Sequence, residues 1–363
     1  MFSDLHLETP FAWADSGLAR RRRQGLREVL ERIADLALSE NPDAVLCGGD
    51  LFEHDRISPD TMEFLRTILN RLSPIPIYVA PGNHDWYGPQ SIYHQVRWSP
   101  NVHVFREPRL EPVTIEDGLT LWGAAHPGPA HMRGFLDAFQ VDRAGIHLAL
   151  FHGSERRLLQ YEGQDKQMHA PFDAEQIAQA GLHHLFLGHY HVPRDGERYT
   201  YPGNPDPLTF GEEGERGVVI ASCLPGGLVQ RQRVRVAVSQ VNDLVVDVAG
   251  SESRHEILAR VRETLQPLTG SARVTLVGEV GPAVDLRSED LSLKALASKL
   301  DGLVVRSRLR VRYEFDAIAS EPTVRGQFVR DVRGAGGLTD EDRERILICG
   351  LRAFEHREDL EVL

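Results

Sequence analysis

The 363-residue sequence predicts an α/β protein with a smaller α+β domain behind it. Two observations carry this. Over roughly the first 220 residues, short apolar runs alternate with segments of helical periodicity, and four runs stop abruptly at a Gly-flanked polar residue. After about Leu224 that punctuation disappears, and a β-α-β-α-β pattern follows. Loops at strand ends are where open sheets carry their chemistry.

The elements follow in order. Leu26, Val29, Leu30, Ile33, Leu36 and Ala37 recur at helical spacing over residues 26–38. Ala44-Val45-Leu46 reads as a buried strand ending at Gly48-Gly49-Asp50. Ser58-Pro59-Asp60 reads as an N-cap with proline at the first helical position, opening a helix to about Leu72. Pro76–Ala80 is a second strand, ending at Pro81-Gly82-Asn83-His84-Asp85. Ile146–Phe151 is a third, ending at His152-Gly153, and Leu185–Leu187 a fourth, ending at Gly188-His189. Further on, 242–248, 272–280 and 303–315 read as strands, and 253–265 and 288–300 as helices. Two helical stretches close the chain over 317–363, joined by Gly334-Ala335-Gly336-Gly337. The expected domains are residues 1–225, 226–318 and a C-terminal helical segment, 319–363.

Composition narrows the class. Hydrophobic residues make up 41% and charged residues 26%, the balance of a globular chain. No apolar run is long enough to span a bilayer. The N-terminal residues lack the basic and apolar regions of a signal peptide, so a cytoplasmic location is expected. Three cysteines exclude a four-thiolate zinc site and argue for a reducing compartment. The 41 Lys+Arg against 53 Asp+Glu give a net charge of −12, which by itself argues against a nucleic-acid partner. Residues 1–225 hold 20 Lys+Arg and 31 Asp+Glu, whereas 226–363 hold 21 and 22, so the acidity lies in the first part.

Seven residues share the strand-end positions: Asp4, His6, Asp50, Asn83, His152, His189 and His191. Carboxylate, imidazole and amide oxygen together suit Mn²⁺, Fe²⁺ or Zn²⁺. Each motif alone is weak, since an Asp-x-His pair or a Gly-Asn-His-Asp turn has ordinary structural explanations. Their ordered joint occurrence is not explained that way. Seven ligands exceed one metal with an open position; they suit two metals about 3.5–4 Å apart sharing one carboxylate.

The series Asp4-Leu5-His6, Gly49-Asp50-Leu51-Phe52, Gly82-Asn83-His84-Asp85, His152-Gly153 and Gly188-His189-Tyr190-His191 resembles the calcineurin-like metallophosphoesterase superfamily. Gly49–His54 and Tyr201-Pro202-Gly203-Asn204, followed by Pro207–Glu212, narrow the likeness to the SbcD-type DNA repair exonuclease branch. The resemblance implies a four-layer αββα sandwich with a smaller α+β capping domain and C-terminal helices. It implies that Asp4, His6, Asp50 and His191 hold one metal and Asp50, Asn83, His152 and His189 the other. Asp50 would bridge two divalent ions, manganese in the nucleases. His84 would donate a proton to the leaving alkoxide or steady the phosphate, with Asp85 orienting it. Three residues, Met1 to Ser3, precede Asp4, so the strand leading to it is short.

The implied activity is metal-dependent phosphodiester hydrolysis, in the first place by a DNA exonuclease or endonuclease in repair. A phosphatase or nucleotide phosphodiesterase, or a partner-binding subunit with a degraded site, are the alternatives. The partners implied are DNA ends, single or double stranded, an SMC-like ATPase on the C-terminal helices, and a second copy of the chain; no membrane is expected. Ile346, Leu347, Leu351 and Phe354 form an apolar stripe that suits either that ATPase or the protein's own core. Arg20–Arg23 reads as a solvated helix start or a contact for a DNA backbone. Arg306, Arg308, Arg310 and Arg312 recur with period two, as do Arg231, Arg233 and Arg235. On strands this places guanidiniums on one face, able to track phosphates or to pair with local acids.

Overall fold

Alternation along three short strands builds the first layers. In the strand Ile77–Val79, Ile77 and Val79 point into one buried cluster and Tyr78 into another. A strand with both faces buried must lie between two packed layers. The computed structural model describes residues 1–161, 168–281, 284 and 299–355. Its backbone divides into two units, Met1–Gln240 and Val241–Leu363.

The first unit runs α1 (Ser16–Glu40), β1 (Val45–Cys47), α2 (Pro59–Arg71), β2 (Ile77–Val79), α3 (Ile92–Gln95), β3 (Val102–Val104), β4 (Glu111–Glu116), β5 (Leu119–Gly123), β6 (Ile146–His152), α4 (Ala174–Gln179), β7 (His184–Gly188), β8 (Arg194–Asp195), β9 (Tyr199–Tyr201), β10 (Gly217–Cys223) and β11 (Val229–Arg235). Strands β1-β2-β3 form a parallel sheet. A six-stranded sheet has the order β4-β5-β6-β7-β9-β8, parallel from β5 to β9 and antiparallel at both edges.

Burial sorts these into four layers. Leu26, Val29, Leu30 and Ile33 of α1 and Leu65 and Ile68 of α2 pack on Val45, Cys47, Ile77 and Val79 of the small sheet. Tyr78 and Ala80 pack with Leu121, Leu148, Leu150 and Phe186 of the large one. Ala149, Phe151, Leu185 and Leu187 face the other way, against Phe172 and Ile177 of the α4 side. The order is helix, sheet, sheet, helix, the αββα sandwich the sequence predicts.

Helix ends follow local chemistry. Ser58 caps α2 by accepting from Thr61 N at 3.1 Å, with Pro59 at the first helical position. The Asp15 side chain caps α1 by accepting from Leu18 N at 2.8 Å. Helix α1 therefore begins well before residue 26, and Arg20–Arg23 lies inside it. Arg22 shares the stripe of Leu18, Leu26 and Val29 and is 3% exposed. Its guanidinium sits 3.4 Å from the buried Asp206 carboxylate and donates to the Pro207 carbonyl. This arginine is a structural post, not part of a solvated helix start.

Strands β10 and β11 form a separate antiparallel hairpin within the first unit. The two arginine-bearing strands therefore do not share a sheet. Arg231 donates to the carbonyls of Gly196 and Tyr199, and Arg233 pairs with Asp195 at 3.0 Å. Both tie β11 to the β8–β9 region of the large sheet.

The second unit runs β12 (Val241–Asp247), α5 (Arg254–Leu265), β13 (Ser271–Val280), β14 (Gly302–Val311), α6 (Phe315–Ala319), α7 (Val324–Gly334) and α8 (Asp340–Glu355). β12, β13 and β14 are parallel neighbours in that order. Ala272, Val274, Leu276, Leu309 and Val311 line one face and pack on Ile257, Val261 and Leu265 of α5. The expected strand over 303–315 ends at Val311, and Phe315 opens a short helix instead. Most of the helix expected over 288–300 lies outside the described residues. Leu347 and Leu351 of the C-terminal stripe are buried in this unit's core, whereas Ile346 and Phe354 are exposed. No helix among the described residues is long and apolar enough to cross a membrane.

Candidate metal centre

Five of the seven expected ligands stand at or just beyond the C-terminal end of a parallel strand. Asp50 follows β1, Asn83 follows β2, His152 ends β6, and His189 and His191 follow β7. Asp4 and His6 are hung on the β1 loop by backbone hydrogen bonds from Asp4 N to Gly49 O and from His6 N to Asp50 O, each 2.9 Å. Just ahead of Asp4, Phe2 bridges Cys47 in parallel register.

The backbone here leaves ordinary conformational space. Asp4, His6, Asp50 and His189 have φ of 54°, 48°, 51° and 104°. Left-handed backbone is disfavoured for residues with a Cβ, and it gathers where surroundings over-determine it. Gly82 has the opposite reason to be glycine. A Cβ there would lie 2.3 Å from Asp50 Oδ1 and 2.8 Å from His152 Nδ1. The loops after β1, β2 and β6 meet at that point with no room for a side chain.

The side chains converge. Donor atoms of Asp4, His6 and His191 lie within 4.8 Å of one another, as do those of Asp4, Asp50 and His152. Asp50 Oδ2 stands 3.2 Å from His152 Nε2 and 3.6 Å from His6 Nε2. His189 enters through its backbone N–H, which donates to Asp4 Oδ1 at 2.9 Å, and its ring stands 5.2 Å from that of His152. The centre thus draws on both sheets of the first unit.

Outer partners fix which nitrogen faces inward. Nδ1 of His6 is 2.7 Å from Glu53 Oε1, and Nδ1 of His191 is 2.7 Å from Glu212 Oε1. Nδ1 of His152 donates to the Gly48 carbonyl at 2.9 Å. Metal-ligating histidines characteristically hold their second nitrogen this way. The inward atoms His6 Nε2, His152 Nε2 and Asn83 Oδ1 are buried with no hydrogen-bond partner. Buried polar atoms without partners are costly, so His6 Nε2 and His152 Nε2, both facing Asp50 Oδ2, fit a cation between them. The donor set, imidazole with carboxylate and amide oxygen, suits a divalent transition metal.

Two residues differ from expectation. Asp85 does not orient His84. Its carboxylate accepts from the N–H groups of Asp50, Leu51 and Gly82 and from the Tyr93 hydroxyl, at 2.7–2.9 Å. It is fully buried and knots the β1 and β2 loops together. The partner of His84 is Glu53, whose Oε2 lies 2.8 Å from His84 Nδ1. Glu53 therefore clamps His6 with one oxygen and His84 with the other. Its place three residues after Asp50, in the same Gly49–His54 motif, was the sequence signal for it.

Electrostatics follow from this packing. Burial opposes the Asp50 charge, but His152, His6 and His84 outweigh it and hold the carboxyl well below its ordinary value. Burial likewise opposes ionisation of Glu53, and hydrogen bonds from His6 and His84 bring it down to about 2. In the metal-free site burial disfavours charge on His84, yet the Glu53 hydrogen bond and the neighbouring carboxylates raise it to about 9. The His84 side chain is 44% exposed, at the rim of an otherwise buried cluster. Behind the ligands, burial pushes His126 down to about 3 and His169 to about 4. His126 Nε2 lies 2.8 Å from the His152 carbonyl, a support that no sequence pattern announced.

A four-layer sandwich with convergent His and Asp side chains around its strand ends defines a metallophosphoesterase. The comparison with known families agrees: calcineurin-like phosphoesterase is matched over residues 1–193, and the chain belongs to that family. It is 25% identical over 281 residues to the metallophosphoesterase YhaO of Bacillus subtilis, spanning 73% of this chain and 67% of that one. It is 25% identical over 329 residues to the DNA double-strand break repair protein Mre11 of Methanopyrus kandleri, 81% of this chain and 67% of the relative. Against Mre11 of Haloferax volcanii the identity is 28% over 256 residues, 67% and 54% of the two chains. The family resemblance read from the motifs therefore holds.

Proposed function

We propose that this metallophosphoesterase is a DNA nuclease of the repair type, cleaving phosphodiester bonds with two divalent ions, manganese by preference. The observation that carries the hydrolytic reading is the pair of buried atoms without a hydrogen bond, His6 Nε2 and His152 Nε2, set against Asp50 Oδ2. The choice of DNA is supported by the two relatives named as double-strand break repair proteins.

In this reading Asp4, His6, Asp50 and His191 hold one ion and Asp50, Asn83, His152 and His189 the other. When bound, the pair supplies an activated water and neutralises charge developing on the phosphate. The chain's own residues do the rest. Glu53 keeps His6 and His84 in fixed rotamers. The protonated His84 ring, exposed at the rim, delivers its proton to the leaving alkoxide oxygen. Asp85 keeps the Asp50 and Asn83 loops in register. The exposed Ile346 and Phe354 on α8 are the place where an ATPase subunit would dock.

The test is Mn²⁺-dependent digestion of linear DNA by the wild type and by His84→Ala. The expected result is cleavage by the wild type that the variant loses. Vigorous hydrolysis of mononucleotides with none of DNA would replace the nuclease reading with a nucleotide phosphodiesterase or phosphatase.

A further inference from the structure

We propose that the open face of the β12–β13–β14 sheet binds the phosphate backbone of a nucleic acid through Arg306, Arg308 and Arg310. Alternation along β14 puts Leu309 and Val311 into the core and leaves these three arginines exposed. Among the described residues β14 pairs with β13 alone, so the row lies along a sheet edge.

These arginines lie in a row without local compensation. None of the three makes an ion pair or hydrogen bond among the described residues. Arg312, next in the same pattern, is paired with Glu252 at 3.0 Å and Glu314 at 3.6 Å. Elsewhere in the unit Arg273 pairs with Asp243, Arg325 with Glu321 and Arg333 with Asp316. The unit holds 18 Lys+Arg against 22 Asp+Glu, so the row is not part of a generally basic surface.

The neighbouring strand supports the same partner. Opposite Arg306 and Arg308 stand Thr275 and Val277, which are uncharged. Opposite Arg310 stands the exposed Glu279, which tempers that end, so Arg306 and Arg308 carry most of the field. Alternate residues on a strand are about 6.6 Å apart, giving three guanidiniums in single file over roughly 13 Å. Guanidinium matches phosphate oxygens in a bidentate fork. A polymer with regularly spaced charges fits such a row, and contacts of this kind position a backbone without reading sequence.

This inference rests on the nuclease reading for its choice of ligand, and the experiment separates the two. Full-length wild type is compared with the triple variants Arg→Gln and Arg→Lys at positions 306, 308 and 310. Binding of a labelled DNA duplex is measured in EDTA across about 50–200 mM salt. Mn²⁺-dependent hydrolysis of bis(p-nitrophenyl) phosphate and cleavage of linear DNA are measured beside it. The glutamine variant is expected to bind DNA about tenfold or more weakly, with the slope of log K against log salt reduced by about two to three, while aryl phosphodiester hydrolysis is unchanged. The lysine variant is expected to keep most of the binding. DNA affinity and salt slope equal to wild type in the glutamine variant would overturn the proposal. So would loss of small-substrate hydrolysis in step with DNA binding in both variants, absence of DNA binding by wild type, or equal competition by polyglutamate and DNA. Weakened binding in the glutamine variant of a protein that binds but never cleaves DNA would uphold the sheet face and remove the nuclease reading instead.

Discussion

Buried titratable groups crowd the first unit, where Asp4, His6, Asp50, Asp85, His126, His152, His169 and His189 are all nearly inaccessible. In the described part of the second, the buried polar residues are Asn242, Ser251 and Ser271, none of which titrates. Backbone strain divides the same way. Asp4, His6, Glu8, Phe11, Asn41, Asp50, Ala170 and His189 are the described non-glycine residues with positive φ, and all lie in the first unit. The second unit is what consistent local rules build: alternating strands, capped helices and an apolar core. The first breaks those rules most densely at the candidate metal centre, where Asp4, His6, Asp50 and His189 stand. Chemistry and stability should therefore come apart under mutation.

The largest effect is expected at His84. Replacing it with alanine should slow Mn²⁺-dependent phosphodiester hydrolysis by about 10²–10⁴-fold, the usual worth of a positioned proton donor. Because the side chain is exposed at the rim, the thermal midpoint should not move. Steady-state kinetics beside a thermal melt checks both, and a destabilised variant with a normal rate would erase the contrast. The opposite signature is expected from Leu276→Ala in the second unit. Leu276 is fully buried, so stability should fall by about 2–5 kcal/mol in denaturant titration. Turnover of a small aryl phosphodiester under native conditions should be unaffected.

Glu53→Gln tests whether the clamp belongs to the chemistry. Loss of an outer carboxylate commonly costs about 10–100-fold. It also removes the Glu53 charge that helps raise His84, leaving Asp50 and Asp85, so the alkaline limb of the kcat profile should shift to lower pH. A profile identical to wild type would show that the clamp is only structural. An effect on stability alone, seen only as pH falls, is expected at His184. Burial and the Arg231 charge push it from 6.5 down to about 3, and its Nε2 lies 2.9 Å from the Thr200 hydroxyl oxygen. The unfolded chain takes up this proton first as pH falls. Its contribution is intact above about 6.5 and is lost toward pH 3, at up to about 1.4 kcal/mol per pH unit. Denaturant midpoints measured against pH should fall less steeply in His184→Gln, and equal slopes would count against it.

Much of this was legible in the sequence. Buried strands such as Leu148–Phe151 were legible from their apolar runs, and the αββα order came with the family resemblance. The ligand positions follow from polar residues placed where those strands stop. The partners of the ligands were harder to read. Glu53 and Glu212 lie inside the quoted motifs without an assigned role, because which nitrogen of His6 or His191 needs an acceptor is decided only in three dimensions. Asp85 was visible but misassigned, since adjacency to His84 in sequence says nothing about which way a carboxylate turns. The arginine strands show the same limit. Period two tells which residues share a face, but not that Arg231 and Arg308 lie in different sheets. Helix α1 was read short because Gly17, Gly25 and four arginines mask its first turns.

One feature bears on how such a site can change over time. Asp85 fastens the loop carrying Asp50 to the loop carrying Asn83 through three backbone N–H groups and a tyrosine hydroxyl. Two proposed ligands on different strands are thereby joined into one part. A change that releases one loop would release the other, so the proposed site would lose both together. Rim groups such as Glu53 and His84 lie outside this knot. A lineage carrying this knot can acquire new substrates far more readily than a new metal arrangement.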